Sequence, residues 1–109
     1  MLPKEVRLPA KVRLVRAQSY SSLPFLCKYT SNNLPTSRFG FVVRKTLDKR
    51  ATVRNRIRRV FRSLIEELLP RIQTGHDLLF ILNRELLEMK REEMYNRVYA
   101  FLKEKQLLQ

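Results

Sequence analysis

The residues best suited to chemistry in this 109-residue sequence are arginines and lysines between positions 44 and 62. Nine positions of that stretch are basic, and Asp48 is its one acidic residue. Arginine carries a permanent charge and a planar fork of donors that matches phosphate oxygens, so the stretch predicts binding to a polyanion. With Asn55, which can both donate and accept, the candidate nucleic-acid-binding residues are Arg44, Lys45, Lys49, Arg50, Arg54, Asn55, Arg56, Arg58, Arg59 and Arg62.

Apolar residues in and just after the same stretch recur at the spacing of an amphipathic helix. They form one stripe of seven residues: Val53, Ile57, Val60, Phe61, Leu64, Ile65 and Leu68. The arginines fall on the remaining faces, where Arg54, Arg58 and Arg62 repeat every four residues and repel one another. A polyanionic ligand would relieve that repulsion. A merely solvated charged face fits less well, because the run is nearly pure in sign and rich in arginine.

Composition limits the possible classes of protein. The 23 basic and 10 acidic residues give a net charge of +13, which predicts a phosphate backbone or an anionic membrane surface as partner. The length suits one domain over residues 1–109, with residues 1–20 as a basic arm or short helix. No apolar run is long enough for a transmembrane helix or a secretory signal. A single cysteine, Cys27, fits a reducing cytoplasm, and with a single histidine it disfavours a zinc site.

Two segments before the basic stretch alternate like half-buried β-strands. Residues 24–30 place Phe25 and Tyr29 on one side, and residues 38–44 alternate in the same way. A polar turn region separates the segments, so we expect an antiparallel hairpin. Aromatic side chains exposed on a sheet can stack on unpaired bases, but a place in the core is the commoner role.

The second half of the chain predicts a helix stop, a strand and a closing helix. Pro70 ends the arginine-rich helix, and residues 74–77 predict a turn that contains the single histidine. Residues 78–82 are continuously apolar, as in a central strand covered on both faces. Residues 84–106 predict a helix divided near residues 89–90.

These elements predict an α+β fold: a two-layer sandwich in which helices pack on one face of a small, mostly antiparallel sheet. Residues 10–19 predict a short helix, and a fourth short strand is an option near residues 19–23. Gly40, in the middle of a strand, predicts a bulge or a close approach by another backbone. Asp48 or Thr52 is expected to cap the arginine-rich helix.

Residues 48–62, DKRATVRNRIRRVFR, resemble the protein component of bacterial ribonuclease P. They contain the family's Arg-Asn-Arg core at positions 54–56, followed by a basic pair at 58–59 and a further arginine at 62. The preceding strand, RFGFVVRK, is similar to the family's Arg-x-Gly-x-x-Val-x-Lys strand, although Thr46 stands where the family often has a second lysine. The resemblance covers roughly residues 20–105.

The resemblance implies a fold of the ribosomal protein S5 domain 2-like class, with a left-handed βαβ crossover that is contrary to the usual handedness. It also implies the non-catalytic subunit of a ribonucleoprotein endonuclease whose RNA removes the 5′ leader of precursor tRNA. The implied partners are ribonuclease P RNA and precursor tRNA, with one protein monomer per RNA and no membrane. The implied cofactor is Mg²⁺, held mainly by the RNA.

In that family a cleft between the first helix and the sheet holds the leader. Residues 11–19 have none of the aromatic side chains usual for that helix. The candidates for the cleft in this sequence are therefore Phe25, Lys28 and Tyr29.

Three other functions stay open from the sequence. The first is a general RNA-binding module of the ribosomal type, with no role in processing. The second is binding to membrane surfaces or an acidic protein, which the wide aliphatic stripe without tryptophan disfavours. The third is a nuclease acting alone, which is disfavoured because the sequence has no catalytic triad, paired carboxylates or phosphate-binding glycine loop.

Overall fold

One four-stranded sheet and two α-helices make up the computed structural model, which describes residues 4–9, 14, 17–22 and 24–109. The strands are β1 (Gln18–Ser21), β2 (Phe25–Ser31), β3 (Arg38–Val43) and β4 (His76–Leu82). The helices are α1 (Ala51–Leu68) and α2 (Arg91–Glu104), and short 3₁₀ turns cover Lys4–Val6, Leu69–Arg71 and Arg84–Glu88. The predicted α+β class is confirmed.

The strand order is β1-β2-β4-β3, so the predicted hairpin between residues 24–30 and 38–44 is wrong. β4 lies between β2 and β3, antiparallel to the first and parallel to the second. β4 is the most continuously apolar strand and gains a hydrogen-bonded partner along each edge. The chain between β2 and β3 therefore spans two strand spacings, about 10 Å.

Helix α1 is the crossover that joins the parallel neighbours β3 and β4, because parallel strands cannot be linked by a tight turn. Its buried residues are the predicted stripe without the two valines: Ile57, Phe61, Leu64, Ile65 and Leu68. Phe61 packs on Phe80 of β4, with ring centroids 5.2 Å apart, and both helices cover this one face of the sheet. Cys27 lies in the same core, and burial raises the pKa of its thiol.

Residues 4–9 run beside the free edge of β3. The Leu8 N–H donates a hydrogen bond of 2.8 Å to the Phe39 carbonyl, and Arg7 forms a parallel bridge with Phe39. Gly40 permits this arrangement, because a Cβ there would lie 3.0 Å from Leu79 Cδ1 and 3.2 Å from Leu8 Cδ2. The close approach predicted at Gly40 is thus made by side chains rather than by backbone.

Several boundaries differ from those predicted. The helix expected over residues 10–19 is wrong at its end, because Gln18 and Ser19 belong to β1; positions 10–13, 15 and 16 lie outside the described residues. The optional strand near residues 19–23 is confirmed. The end of α1 before Pro70 and the division of the closing helix near residues 89–90 are also confirmed.

The turn predicted at residues 74–77 is wrong in its second half, because His76 and Asp77 begin β4. Asp77 tolerates a strand position since it is paired there: Arg38 Nε and Nη2 donate to its two carboxylate oxygens at 2.9 and 2.7 Å. Asn32 Nδ2 donates to Oδ1 at 2.8 Å. Arg38 and Asp77 are opposite each other in the β3–β4 pairing, so the ion pair fixes the parallel register.

Candidate nucleic-acid interface

The ten predicted binding residues all lie on the loop of residues 44–50 and on the first two thirds of α1, which together we call the basic surface. The loop follows β3 and leads into the helix. Arg54, Arg58 and Arg62 are partly buried. The remaining seven are exposed: Arg44, Lys45, Lys49, Arg50, Asn55, Arg56 and Arg59.

Asp48, the one acidic residue of the basic surface, is already paired within the loop. Its Oδ1 accepts the Arg50 N–H at 2.8 Å, and its two oxygens accept Arg50 Nε and Nη2 at 3.0 Å each. These bonds lower the pKa of Asp48 to about 2. Neither Asp48 nor Thr52 caps α1 as predicted, because Arg50 occupies the N-cap position without a side-chain cap.

Arg54 shapes the loop. Its Nη1 donates to the carbonyl oxygens of Asp48 at 2.8 Å and Lys49 at 2.9 Å. The same guanidinium has further N–H donors that make no bond within the described residues. Arg54 therefore holds the loop against the helix and still has donors for a ligand.

Asn55 is poised as a hydrogen-bond donor. Its Oδ1 accepts Arg58 Nη1 at 3.0 Å, one turn along the helix. The acceptor oxygen of the amide is thereby engaged, and the amino group of this exposed residue makes no hydrogen bond within the described residues. The side chain thus suits the acceptor oxygens of a phosphate better than a ligand donor.

Arg84 belongs with the basic surface although the sequence analysis did not single it out. Together with residues 45–50 it lines a groove of about 440 Å³. Because β3 and β4 are parallel, their carboxyl ends meet at one edge of the sheet, which brings Arg84 after β4 next to the loop after β3. Arg84 could be assigned to this groove from the sequence only if the parallel pairing of β3 with β4 were already known.

Acid should weaken the fold through the two engaged carboxylates. The pKa of Asp48 is about 2, and that of Asp77 also lies below the usual 3.8: burial raises it, but the hydrogen bonds from Arg38 and Asn32 lower it by more. A carboxyl with a lowered pKa stabilises the fold above its unfolded pKa, and this stabilisation is lost as the pH falls through the folded pKa. We expect the unfolding free energy measured in urea to decline from about pH 4 downward.

The Asp77→Asn variant provides the control for this prediction, since it lacks one of the two carboxyl groups whose pKa is lowered. Its unfolding free energy should decline less steeply with acid than that of the unchanged chain. Identical declines would contradict the role given to Asp77.

Comparison with known proteins decides the family. A family model described as Ribonuclease P matches residues 10–106. The chain belongs to the ribonuclease P family. It is 33% identical to the ribonuclease P protein component of Chloroflexus aggregans, over 94% of this chain and 78% of that protein. The corresponding protein of Microcystis aeruginosa is 41% identical, over 61% of this chain and 55% of its own length.

Solved structures of ribonuclease P proteins share the fold. The Thermotoga maritima protein, in complex with 1-(4-fluorophenyl)-2-thiourea, superposes with a TM-score of 0.74 at 24% identity, covering 81% of this chain and 85% of that one. The Staphylococcus aureus protein gives a TM-score of 0.75 at 22% identity, covering 86% and 85%. The mixed sheet with two helices is thus a fold of the ribonuclease P family.

The residues expected to form a leader cleft in this member of the ribonuclease P family do not lie together. Phe25 is 1% exposed and packs edge-on against Phe61, Phe80 and Phe101 in the core. Tyr29 is 7% exposed on the same helix-covered side. Lys28 is exposed on the opposite face, because side chains alternate along β2. Phe25 therefore has no surface to offer a leader, Lys28 is free to meet a ligand, and Tyr29 borders a groove of about 320 Å³ together with Gln18 and Lys105. A leader contact at Lys28 or Tyr29 stays a prediction.

In the described part of this ribonuclease P family chain, no helix is both long and apolar enough to span a membrane.

Proposed function

We propose that this protein is the protein subunit of a ribonuclease P ribonucleoprotein and binds the enzyme's RNA through the basic surface. One observation carries the proposal. In a chain of the ribonuclease P family, one loop and the start of one helix present nine cations, and the single acidic residue among them in sequence, Asp48, is held by Arg50. We assign the phosphate contacts to the predicted arginines and lysines, to Asn55 as a donor, and to Arg84 at the edge of the groove.

The contribution of the protein is electrostatic. Arginine and lysine that neutralise phosphates release condensed counterions, so binding is strong at low salt and weakens steeply as salt rises. Close approach of RNA segments is opposed by repulsion between phosphates, and a protein cation between them reduces that repulsion. The bound protein would therefore lower the magnesium concentration that the RNA requires.

The proposed reaction is hydrolysis of one phosphodiester bond, which releases the 5′ leader from precursor tRNA in the cytoplasm. Mg²⁺ would supply the Lewis-acid chemistry. Among the described residues, no three His, Cys, Asp or Glu side chains could together hold a metal ion, and Asp48 is committed to Arg50. The part of the chain that the structure describes thus offers no such ligand set, and we assign Mg²⁺ mainly to the RNA and the protein's role to binding, one monomer per RNA.

The test is cleavage of precursor tRNA by a bacterial ribonuclease P RNA at low magnesium, with and without this protein. We expect the protein to restore correct 5′ maturation at a magnesium concentration where the RNA alone is nearly inactive. A parallel reaction at high magnesium, where the RNA acts alone, controls for RNA quality. Absence of stimulation at every protein concentration would contradict the proposal.

A second candidate is a general RNA-binding protein of the ribosomal type. The burial of Phe25 favours it, because this aromatic side chain of β2 has no surface left to stack on a leader base. This candidate predicts salt-dependent binding to ribonuclease P RNA without stimulation of cleavage, so the same experiment separates the two.

A further inference from the structure

A small cavity lies where the N-terminal segment, β3 and α1 meet. Its volume is about 140 Å³, and three of the side chains that line it are arginines: Arg7, Arg58 and Arg62. Its remaining walls are Leu8 and residues 39–41 of β3. The cavity combines positive charge with apolar walls.

The fold builds this juxtaposition from distant parts of the chain. Arg58 and Arg62 are one turn apart on α1, whereas Arg7 is brought there by the pairing of residues 7–8 with Phe39. Gly40 makes room for the pairing, since a Cβ there would lie 3.0 Å from Leu79 Cδ1 and 3.2 Å from Leu8 Cδ2, closer than ordinary van der Waals contact. Arg7 thus stands beside Arg58 and Arg62 although it lies 51 and 55 positions before them in the sequence.

None of the three guanidinium groups forms an ion pair with a carboxylate of the described residues, although Glu66 lies one turn after Arg62 on α1. The Asn55 amide oxygen, which accepts Arg58 Nη1, is a neutral partner. Three like charges around one cavity repel one another. An anion bound among them would remove this repulsion.

We propose that Arg7, Arg58 and Arg62 form a binding site for a single phosphodiester group of the RNA backbone. The site rests on the proposed function and extends it, since it joins the N-terminal segment to the basic surface. Arginine suits this role because its planar fork binds phosphate oxygens in pairs. The N-terminal segment and α1 then contact the same RNA phosphate, so RNA binding reinforces the pairing of residues 7–8 with Phe39.

The experiment measures the affinity of the full chain for ribonuclease P RNA across a salt series. The Arg7→Ala variant should show a plot of log affinity against log salt that is shallower by about one unit, the value for one lost phosphate contact. Arg97→Ala removes an equal charge from an exposed position on α2 and should leave the slope unchanged. Arg7→Lys keeps the charge and should retain most of the slope.

A second variant tests how the site is built. Gly40→Val, whose branched side chain has no room beside Leu79 and Leu8, should displace Leu8 and lower the slope as Arg7→Ala does, and the double variant of Gly40→Val with Arg7→Ala should lower it no further. Thermal unfolding of each variant confirms that it is folded at the assay temperature. If the unchanged chain binds with a steep slope and Arg7→Ala has that same slope, the site is refuted and the proposed function survives. If the unchanged chain does not bind this RNA, both are refuted.

Discussion

The Asp77→Ala variant should lose about 3 kcal/mol of unfolding free energy, the cost of removing one partner from a buried ion pair. Asp77 is 3% exposed and accepts three hydrogen bonds, two from Arg38 and one from Asn32. Removing it leaves the Arg38 charge without its partner and takes away one of the two acceptors of the Asn32 amino group, which also donates to the Thr36 carbonyl at 3.1 Å. The Arg38 side chain is 22% exposed, which lets water reach part of it and places the loss at the lower end of the usual range.

Urea denaturation measures this loss, and two variants serve as controls. Glu92→Ala removes a carboxylate from an exposed position on α2 and should change the unfolding free energy by less than about 0.5 kcal/mol. Replacing both partners with apolar residues, Arg38→Met with Asp77→Leu, should recover much of the lost stability, because no unpaired charge remains. A loss below about 1 kcal/mol in Asp77→Ala would show that the pair does not hold β3 against β4.

Replacing Arg56 and Arg59 together with alanine should make the salt dependence of RNA binding shallower by about two units. Both side chains are exposed on α1 and make no hydrogen bond or ion pair within the described residues, so their loss should leave the fold intact. This pair is a cleaner choice than Arg54, whose removal would also release the loop carbonyls of residues 48 and 49.

The matched control removes two positive charges from the other helix, in Arg97→Ala with Lys103→Ala. Both residues are exposed on α2. This control should reproduce the slope of the unchanged chain, since only a cation near a phosphate releases counterions. If both double variants reduce the slope by the same amount, net charge alone drives binding, and the cations of the basic surface contribute no more than cations elsewhere on the protein.

Local features of the sequence predicted the parts of the fold that local forces determine. The stripe of α1 follows from the period of a helix, and its end follows from the ring of Pro70, which cannot continue the hydrogen-bonded ladder. Alternation identified β2 and β3 correctly, because one face of each strand packs on the core. The basic surface was found for the same reason: its residues are neighbours in sequence as well as in space.

The sequence could not predict what depends on pairing between distant strands. Alternation identifies a strand but does not choose its neighbour, so β2 and β3 were paired although β4 separates them. Asp77 looks like a turn residue until its partner, 39 residues earlier, is known. Arg7 and Arg84 were missed for the same reason. Arg7 reaches the basic surface through its pairing with β3, and Arg84 reaches it because it directly follows β4.

The central place of β4 also determines when the protein can fold on the ribosome. β1, β2, β3 and α1 all precede β4 in the chain, yet the inner edges of β2 and β3 have no partner until residues 76–82 have been synthesised. Edges left unpaired in this way invite aggregation. The sheet is thus completed late, when β4 pairs with β2 and β3 at once. The arginines of α1 leave the exit tunnel before the sheet that orients them has formed.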